Sequence, residues 1–255
     1  MHGKYYLTQQ IKPNFDKTVN VAFTADDVLF DWTAFEIPRG TAALQTLFAT
    51  IQGTEAVAAN SKNFDLYFAK SIDGVAPPSL GDTNDAKNII KTTAARPWLI
   101  GHQAIDASEI EDGGDPLVGY NVFGNGRPSA NTVMTPRGII LEGEPEVSST
   151  TGYQTIYVAG LAAGTIDFGT GCIVAGAHSA DDLTIVIDGV DADDVFAIGD
   201  TIMAFDADGS DPTAIGNITA VAADLITVDA APNDIDDDHE ICNKHPLIFR
   251  FGFEY

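Results

Sequence analysis

The last residues of the chain place Phe249, Phe251, Phe253 and Tyr255 at every second position, with Ile248, Arg250, Gly252 and Glu254 between them. Successive side chains of a strand point to opposite faces, so this spacing makes one face wholly aromatic. Such a face needs a core that can cover it, and a slip of one residue would turn all four rings to the other side. The stretch just before it is a poor source of that core. Residues 138–243 contain no Lys or Arg, hold 21 of the 37 acids, and offer mostly small aliphatics. All 13 basic residues lie before this stretch (Lys4 to Arg137) or after it (Lys244 and Arg250). The aromatic-rich first part can cover the strand. The chain is therefore expected to leave one β domain, build an acidic one, and return for its final strand.

Composition supports short strands and tight turns. The 255 residues suit one large or two small domains, and 45% apolar content is enough for real cores. Asp outnumbers Glu 28 to 9, and 24 Gly and 12 Pro accompany it. Asp competes for backbone hydrogen bonds and favours turns and caps over helix interiors. No apolar run of about eighteen residues is present, so no transmembrane helix is expected. The first residues, Met1-His2-Gly3-Lys4-Tyr5-Tyr6, lack the apolar stretch of a signal peptide, and secretion by that route is not expected. Cys172 and Cys242 lack metal-site spacing and are read as two free thiols. The formal charge of −24 repels phosphate backbones and anionic lipids, which disfavours nucleic-acid and membrane-surface partners.

Period-2 patterns mark the strands. Segment 17–24 carries Val19, Val21 and Phe23 on one face, and 63–71 carries Phe64, Leu66 and Phe68. Segment 42–53 sets Leu47, Ala49 and Ile51 opposite Phe48, and 97–105, 117–123 and 132–141 add extended runs. Turn chemistry separates them at Ile37-Pro38-Arg39-Gly40, at Ile72-Asp73-Gly74 and in the loop Pro77-Pro78-Ser79-Leu80-Gly81. Residues 84–92 are the one segment read as helical. In the acidic block Leu183, Ile185 and Ile187 alternate, followed by 196–202, 214–221 and 225–228, a rhythm that suits a small barrel of five or six strands. The predicted fold is all-β: a jelly-roll-like antiparallel sandwich of residues 1–158 plus 244–255, with a small acidic β-barrel of residues 159–243 inserted before the last strand. The Ala/Gly-rich segment 159–171 is read as the connector into the barrel.

Catalytic signatures are absent. There is no HExxH among the five histidines, no GxSxG, no phosphate loop and no dinucleotide fingerprint, so neither an enzyme nor a bound cofactor is expected. Asp206-Ala207-Asp208-Gly209-Ser210-Asp211 resembles the start of a calcium loop, but glycine stands fourth rather than sixth and Asn217 occupies the twelfth position. The segment is read as a solvated hairpin, with Asp206, Asp208 and Asp211 as its candidate cation ligands. Residues 233–240 concentrate oxygen atoms in the same way, with Asp236 and Asp238 as candidates, and are read as a self-repelling exposed loop. Trp32, Trp98 and the tyrosines could line a sugar-binding groove; among β strands such rings more commonly belong to the core.

In general character the chain resembles virion structural proteins of tailed bacteriophages, most of all head decoration (cement) proteins. The resemblance lies in the nearly helix-free jelly-roll pattern and the small barrel before the last strand. It lies also in segments such as Phe35-Glu36-Ile37-Pro38-Arg39-Gly40 and Asn63-Phe64-Asp65-Leu66-Tyr67-Phe68-Ala69-Lys70-Ser71. It implies a protein made in the host cytoplasm that binds the major capsid protein on the outer shell. It also implies self-association as a homotrimer, with no nucleic-acid or membrane partner. The alternatives are a phage tail or fibre component that binds host glycans, and a secreted or surface carbohydrate-active protein.

Overall fold

A computed structural model of the chain describes residues 5–15, 21–52, 63–86, 95–106, 110–112, 120–124, 139–144, 152–168, 171–206, 212–230, 232 and 234–255. They form an all-β fold of antiparallel sheets in a sandwich, as the sequence pattern predicts. The first sheet runs β1 (Tyr6–Ile11), β16 (Leu247–Glu254), β3 (Ala42–Gln52), β7 (Tyr120–Gly124) and β6 (Ile110–Asp112), with β8 (Ile139–Leu141) also paired to β3. The second runs β2 (Val28–Pro38), β9 (Tyr153–Ala162), β4 (Phe64–Lys70) and β5 (Leu99–Ile105). Of the eight connections from β1 to β9, five pass from one sheet to the other, in the manner of a jelly roll.

Six further strands close on one another: β10 (Cys172–Val174), β11 (Thr184–Asp188), β12 (Thr201–Phe205), β13 (Thr213–Ala222), β14 (Leu225–Val228) and β15 (Glu240–Asn243). Their barrel order is β10-β11-β14-β13-β12-β15. All six lie in sequence between β9 and β16. The only helix among the described residues, α1 (Ala192–Val195), is a single turn in the β11–β12 connection.

The final strand has the register its alternation demands. Phe249, Phe251 and Phe253 are fully buried, and β16 is hydrogen-bonded to β1 on one side and β3 on the other. Phe251 meets Phe35 and Phe68 of the opposite sheet at 5.6 and 5.7 Å between ring centroids, and Phe249 meets Phe30 at 5.8 Å. These separations lie within the favourable range for ring pairs. Phe15, Phe23 and Phe168 continue the aromatic core beyond Phe30, pairing edge-to-face with one another at 5.6 to 6.2 Å. Tyr255, the fourth aromatic of the strand, stacks on Tyr5 at 5.9 Å and remains exposed.

Two barrel strands are buried on both faces. Ile202 and Ala204 of β12 and Ile241 of β15 point into the barrel, where they pack with Ile185, Ile215, Ile226 and Phe196. Met203, Phe205 and Cys242 point the other way and belong to the core of the sandwich. The wall made by β12 and β15 is therefore common to both cores. Backbone bonds from Phe15 N to the Lys244 carbonyl (3.0 Å) and from Lys244 N to the Thr201 carbonyl (2.8 Å) run along it.

The structure differs from the sequence reading at several points. Residues 159–162, read as part of a connector, are the end of β9. There Val158 and Ala162 face one core while Ala159 and Leu161 face a second cluster with Val28 and Leu80. Ile166 and Phe168 also belong to the sandwich core, so the chain leaves the sandwich later than residue 159. Val21 is 57% exposed although Phe23 is fully buried, and Val19 lies outside the described residues. Leu183, placed on the buried side, is exposed, whereas Ile185 and Ile187 are buried. Residues 196–200 turn rather than extend. Of the segment read as helical, 87–92 lies outside the described residues, and Asn84 adopts a positive φ of 62°.

Candidate interaction surface

The acidic residues singled out in the sequence converge more than their spacing suggests. Phe205 of β12 stands opposite Glu240 of β15, so the segments that follow 205 and precede 240 emerge side by side at one end of the barrel. The His239 Nε2 atom lies 3.0 Å from Asp206 Oδ1 and 4.0 Å from Asp236 Oδ2. Asp238 turns the chain at a positive φ of 65°, and its N–H donates to the Val174 carbonyl at 3.2 Å. Asp208 and Asp211 lie outside the described residues. Among the described residues no three His, Cys, Asp or Glu side chains are grouped as metal ligands.

Several carboxylates in the acidic block hold backbone instead. Asp237 Oδ1 accepts from Gly176 N (2.7 Å) and Asp234 Oδ1 from Ala180 N (2.8 Å), which ties the segment after β10 to the segment before β15. Asp229 accepts from both the backbone and the side chain of Asn217, at 2.9 and 2.7 Å. These bonds, the Asn217 side chain first, hold its carboxyl below the usual range. The abundance of Asp over Glu thus has a local cause: the shorter side chain reaches nearby N–H groups and replaces backbone partners in turns.

Other candidate groups do not assemble into a reactive centre. Neither Cys172 nor Cys242 is in a disulfide, and both are buried. Cys172 pairs with Ile241, the neighbour of Cys242, and belongs to the barrel core, whereas Cys242 belongs to the sandwich core. The two thiols therefore face opposite sides of one wall. Burial, with smaller contributions from Cys242 and Asp191, pushes the Cys172 thiol up to about 12, which makes it a poor nucleophile. Trp32 donates its Nε1–H to the Pro78 carbonyl (2.9 Å) and packs under the 77–81 loop beside Leu80, so its ring is committed to the fold. His102 contacts Asp65 (3.1 Å) and Tyr67, and the His245 ring meets the Pro13 carbonyl (2.9 Å), far from the His239 cluster.

The outer face of the first sheet has a different character. Tyr6, Thr8 and Gln10 of β1 are exposed there, beside Ile248, Arg250 and Glu254 of β16 and Thr46, Phe48 and Thr50 of β3. On the described faces of β1, β16 and β3 one cation and one anion balance. Arg250 is exposed, and its guanidinium lies over the Phe48 ring at 5.7 Å. Ile140 of β8 and Tyr6 are exposed at 65% and 68%. Residues 171–243, in contrast, hold 17 acids and no Lys or Arg. A neutral sheet face rich in hydroxyls and aromatic rings, beside a barrel of one charge sign, suits protein contact on the former and solvent on the latter.

No protein-family model matches the sequence, and no curated protein is similar to it.

Proposed function

We propose that this chain is a structural virion protein that decorates and stabilises the outer surface of a bacteriophage capsid. Its sandwich binds the major capsid protein through protein–protein contacts, and its acidic barrel projects into solvent. The observation that carries this reading is the segregation of charge, with a neutral sheet face on the sandwich and about −17 on residues 171–243. A surface that faces packaged DNA avoids dense negative charge, so the outer side of the shell suits the barrel. Self-association in a closed ring, a trimer, belongs to the same proposal, because decoration at a local symmetry axis calls for matching symmetry.

Purified protein added to expanded, DNA-free shells tests this reading. Cosedimentation should saturate at a fixed number of copies per shell. Negative charge introduced on the neutral face, by Thr50→Glu together with Thr8→Glu, should abolish the binding while circular dichroism stays unchanged. Binding that never saturates, or that ignores this pair, would overturn it. Retention on host polysaccharide without shell binding would favour the tail or fibre alternative.

A further inference from the structure

The side of the barrel opposite the sandwich carries an exposed aliphatic patch. In the closed order β10-β11-β14-β13-β12-β15, the strands β11 and β14 stand across the barrel from β12 and β15, which are keyed into the sandwich. On the outside of this far wall Val186 of β11 is directly opposite Leu225 of β14, and Leu225 is opposite Ala222 of β13. The Ala175 N–H, just past β10, donates to the Val186 carbonyl at 2.9 Å and completes one uncharged row. Thr184, Thr227 and Ala220 form a second row beside it. Ile173, two residues before Ala175, extends the patch along β10. Val186, Ile173 and Leu225 are 49%, 39% and 38% exposed. Single apolar residues are ordinary on a surface, but aliphatic side chains on three adjoining strands make a patch, and such patches mark interaction sites.

Charge frames this patch at both ends, and all of it is negative. Asp182 and Asp188 stand at the two ends of β11, Asp224 and Asp229 at the two ends of β14, and all four are exposed. The pairing groups them. Ile187 N donates to the Asp224 carbonyl (2.9 Å), which sets Asp188 and Asp224 at one end of the wall. Val228 N donates to the Leu183 carbonyl (3.0 Å), which sets Asp182 and Asp229 at the other. With about 3.3 Å per residue of extended chain, the two acidic ends are roughly 15–20 Å apart. No Lys or Arg occurs in residues 138–243, so no cation of the barrel offsets them.

We propose that this wall is the docking site of a partner protein's segment that is aliphatic at its centre and carries Lys or Arg at both ends. The barrel is closed and offers no free strand edge, so the segment packs on it through side chains rather than by adding a strand. The acidic ends select the occupant. A second copy applied through the same wall would set aspartate against aspartate at both ends, and the 17 acids of residues 171–243 against 17 more. Nucleic acid and anionic lipid meet the same repulsion. A segment with cations at its ends gains attraction there, which sets its orientation and speeds encounter, while the aliphatic centre leaves water. The inference goes beyond the decoration reading: it adds a second partner on the side of the barrel away from the sandwich, and it stands whether or not the sandwich binds a shell.

Fluorescence anisotropy with the full chain and capped, labelled heptapeptides tests it. The first peptide has lysine at both ends, valine at its third and fifth positions and threonine elsewhere, which sets its cations about 20 Å apart on the valine face. The second replaces the lysines by glutamate, and the third replaces the valines by serine. Only the first should bind with saturation, and added salt should weaken it. Val186→Asp with Leu225→Asp should weaken that binding about tenfold or more while circular dichroism stays unchanged. The milder Val186→Ser with Leu225→Ser should weaken it in the same direction. Val21→Asp with Val75→Asp, which adds the same charge at exposed positions of the sandwich, should leave binding as it is. Failure of the first peptide to bind, equal binding by the glutamate or serine peptide, or binding that survives both wall variants would overturn the inference. A wild-type dimer that Val186→Asp with Leu225→Asp disperses would also overturn it, because a second copy would then occupy the wall.

Discussion

Gly160 of β9 lies against the ring of Phe30 on β2, so close that a Cβ there would stand 2.9 Å from Cδ1, with Cε1 nearer still. The ring cannot yield freely, because it is fully buried and packed on Phe15 and Phe249. Gly160→Ala should therefore destabilise the protein by about 1–3 kcal/mol, in the range of overpacked cores. Urea denaturation of the two proteins checks this. An unchanged midpoint would show that Phe30 has room to move.

The aromatic face of the last strand gives a second expectation. Phe251→Ala removes a ring that touches four others, and should cost about 3–5 kcal/mol. Gln10→Ala, exposed on the opposite face, should stay within about 0.5 kcal/mol. Comparable losses from both would contradict the register of β16 against β1.

Phe205 belongs to β12 of the barrel yet is buried in the sandwich core. Phe205→Ala should cost about 3–5 kcal/mol. Calorimetry of this variant should still show one transition, since the shared wall couples the barrel to the sandwich. Two separated transitions in the variant or the wild type would show the cores to be independent.

His245 supplies a pH dependence. Burial, ahead of the neighbouring Lys244 and Lys12, lowers its pKa from the usual value, although the Pro13 carbonyl acts in the other direction. The unfolded chain then binds a proton near pH 6.5 that the native state resists. Stability should fall as pH drops below about 6.5, and level off once the folded form also takes up the proton. His245→Gln should flatten the profile in that window. A variant with the same slope from pH 7.5 to 5.5 would assign the effect to other groups.

Glu144 gives a dependence of the same sign for a different reason, because here it is the ionised form that the fold stabilises. Its two carboxylate oxygens accept from Asp73 N (2.7 Å) and Gly74 N (3.0 Å), at the tip of a hairpin where both residues have positive φ. The Gly74 and Asp73 bonds lower its pKa, so its stabilisation is present above the usual carboxylate range and is lost as pH falls through the folded value. Glu144→Gln should be less stable than wild type at pH 7, and the difference should shrink as pH falls and the carboxylate takes up its proton. A constant difference between the two proteins would remove the carboxylate from the account.

The strands that were legible in the sequence are those buried on one face only. In β4, in β16 and in β3 from Leu47 to Ile51 the inward residues alternate, and Phe64, Leu66 and Phe68 or Phe249, Phe251 and Phe253 stand out at once. The strands β2 and β9 escaped for physical reasons. In β2 the pairing register shifts twice, between Val28 and Phe30 and again before Thr33, so the alternation breaks in mid-strand. In β9 both faces are covered near the end, and close contact with Phe30 demands glycine, so the sequence there resembles a loop. The neutral face could not be read in advance, because Arg250 and Glu254 reveal their balance only once β1, β3 and β16 lie side by side. The meeting of Asp206 with His239 depended on the Phe205–Glu240 register, for which 206–211 and 234–238 give no local signal.

The wall of β12 and β15 also determines how the molecule responds to mechanical load. A barrel hung on two flexible linkers would swing and transmit almost no torque. Here a tilt of the barrel must draw Met203, Phe205 and Cys242 out of an apolar core, so the barrel behaves as a stiff lever keyed into the sandwich. A sideways push on the barrel therefore arrives at the sandwich core through these three side chains. For the same reason the barrel is not a cassette: a different barrel spliced between β9 and β16 would need its own three apolar side chains facing outward at the same places.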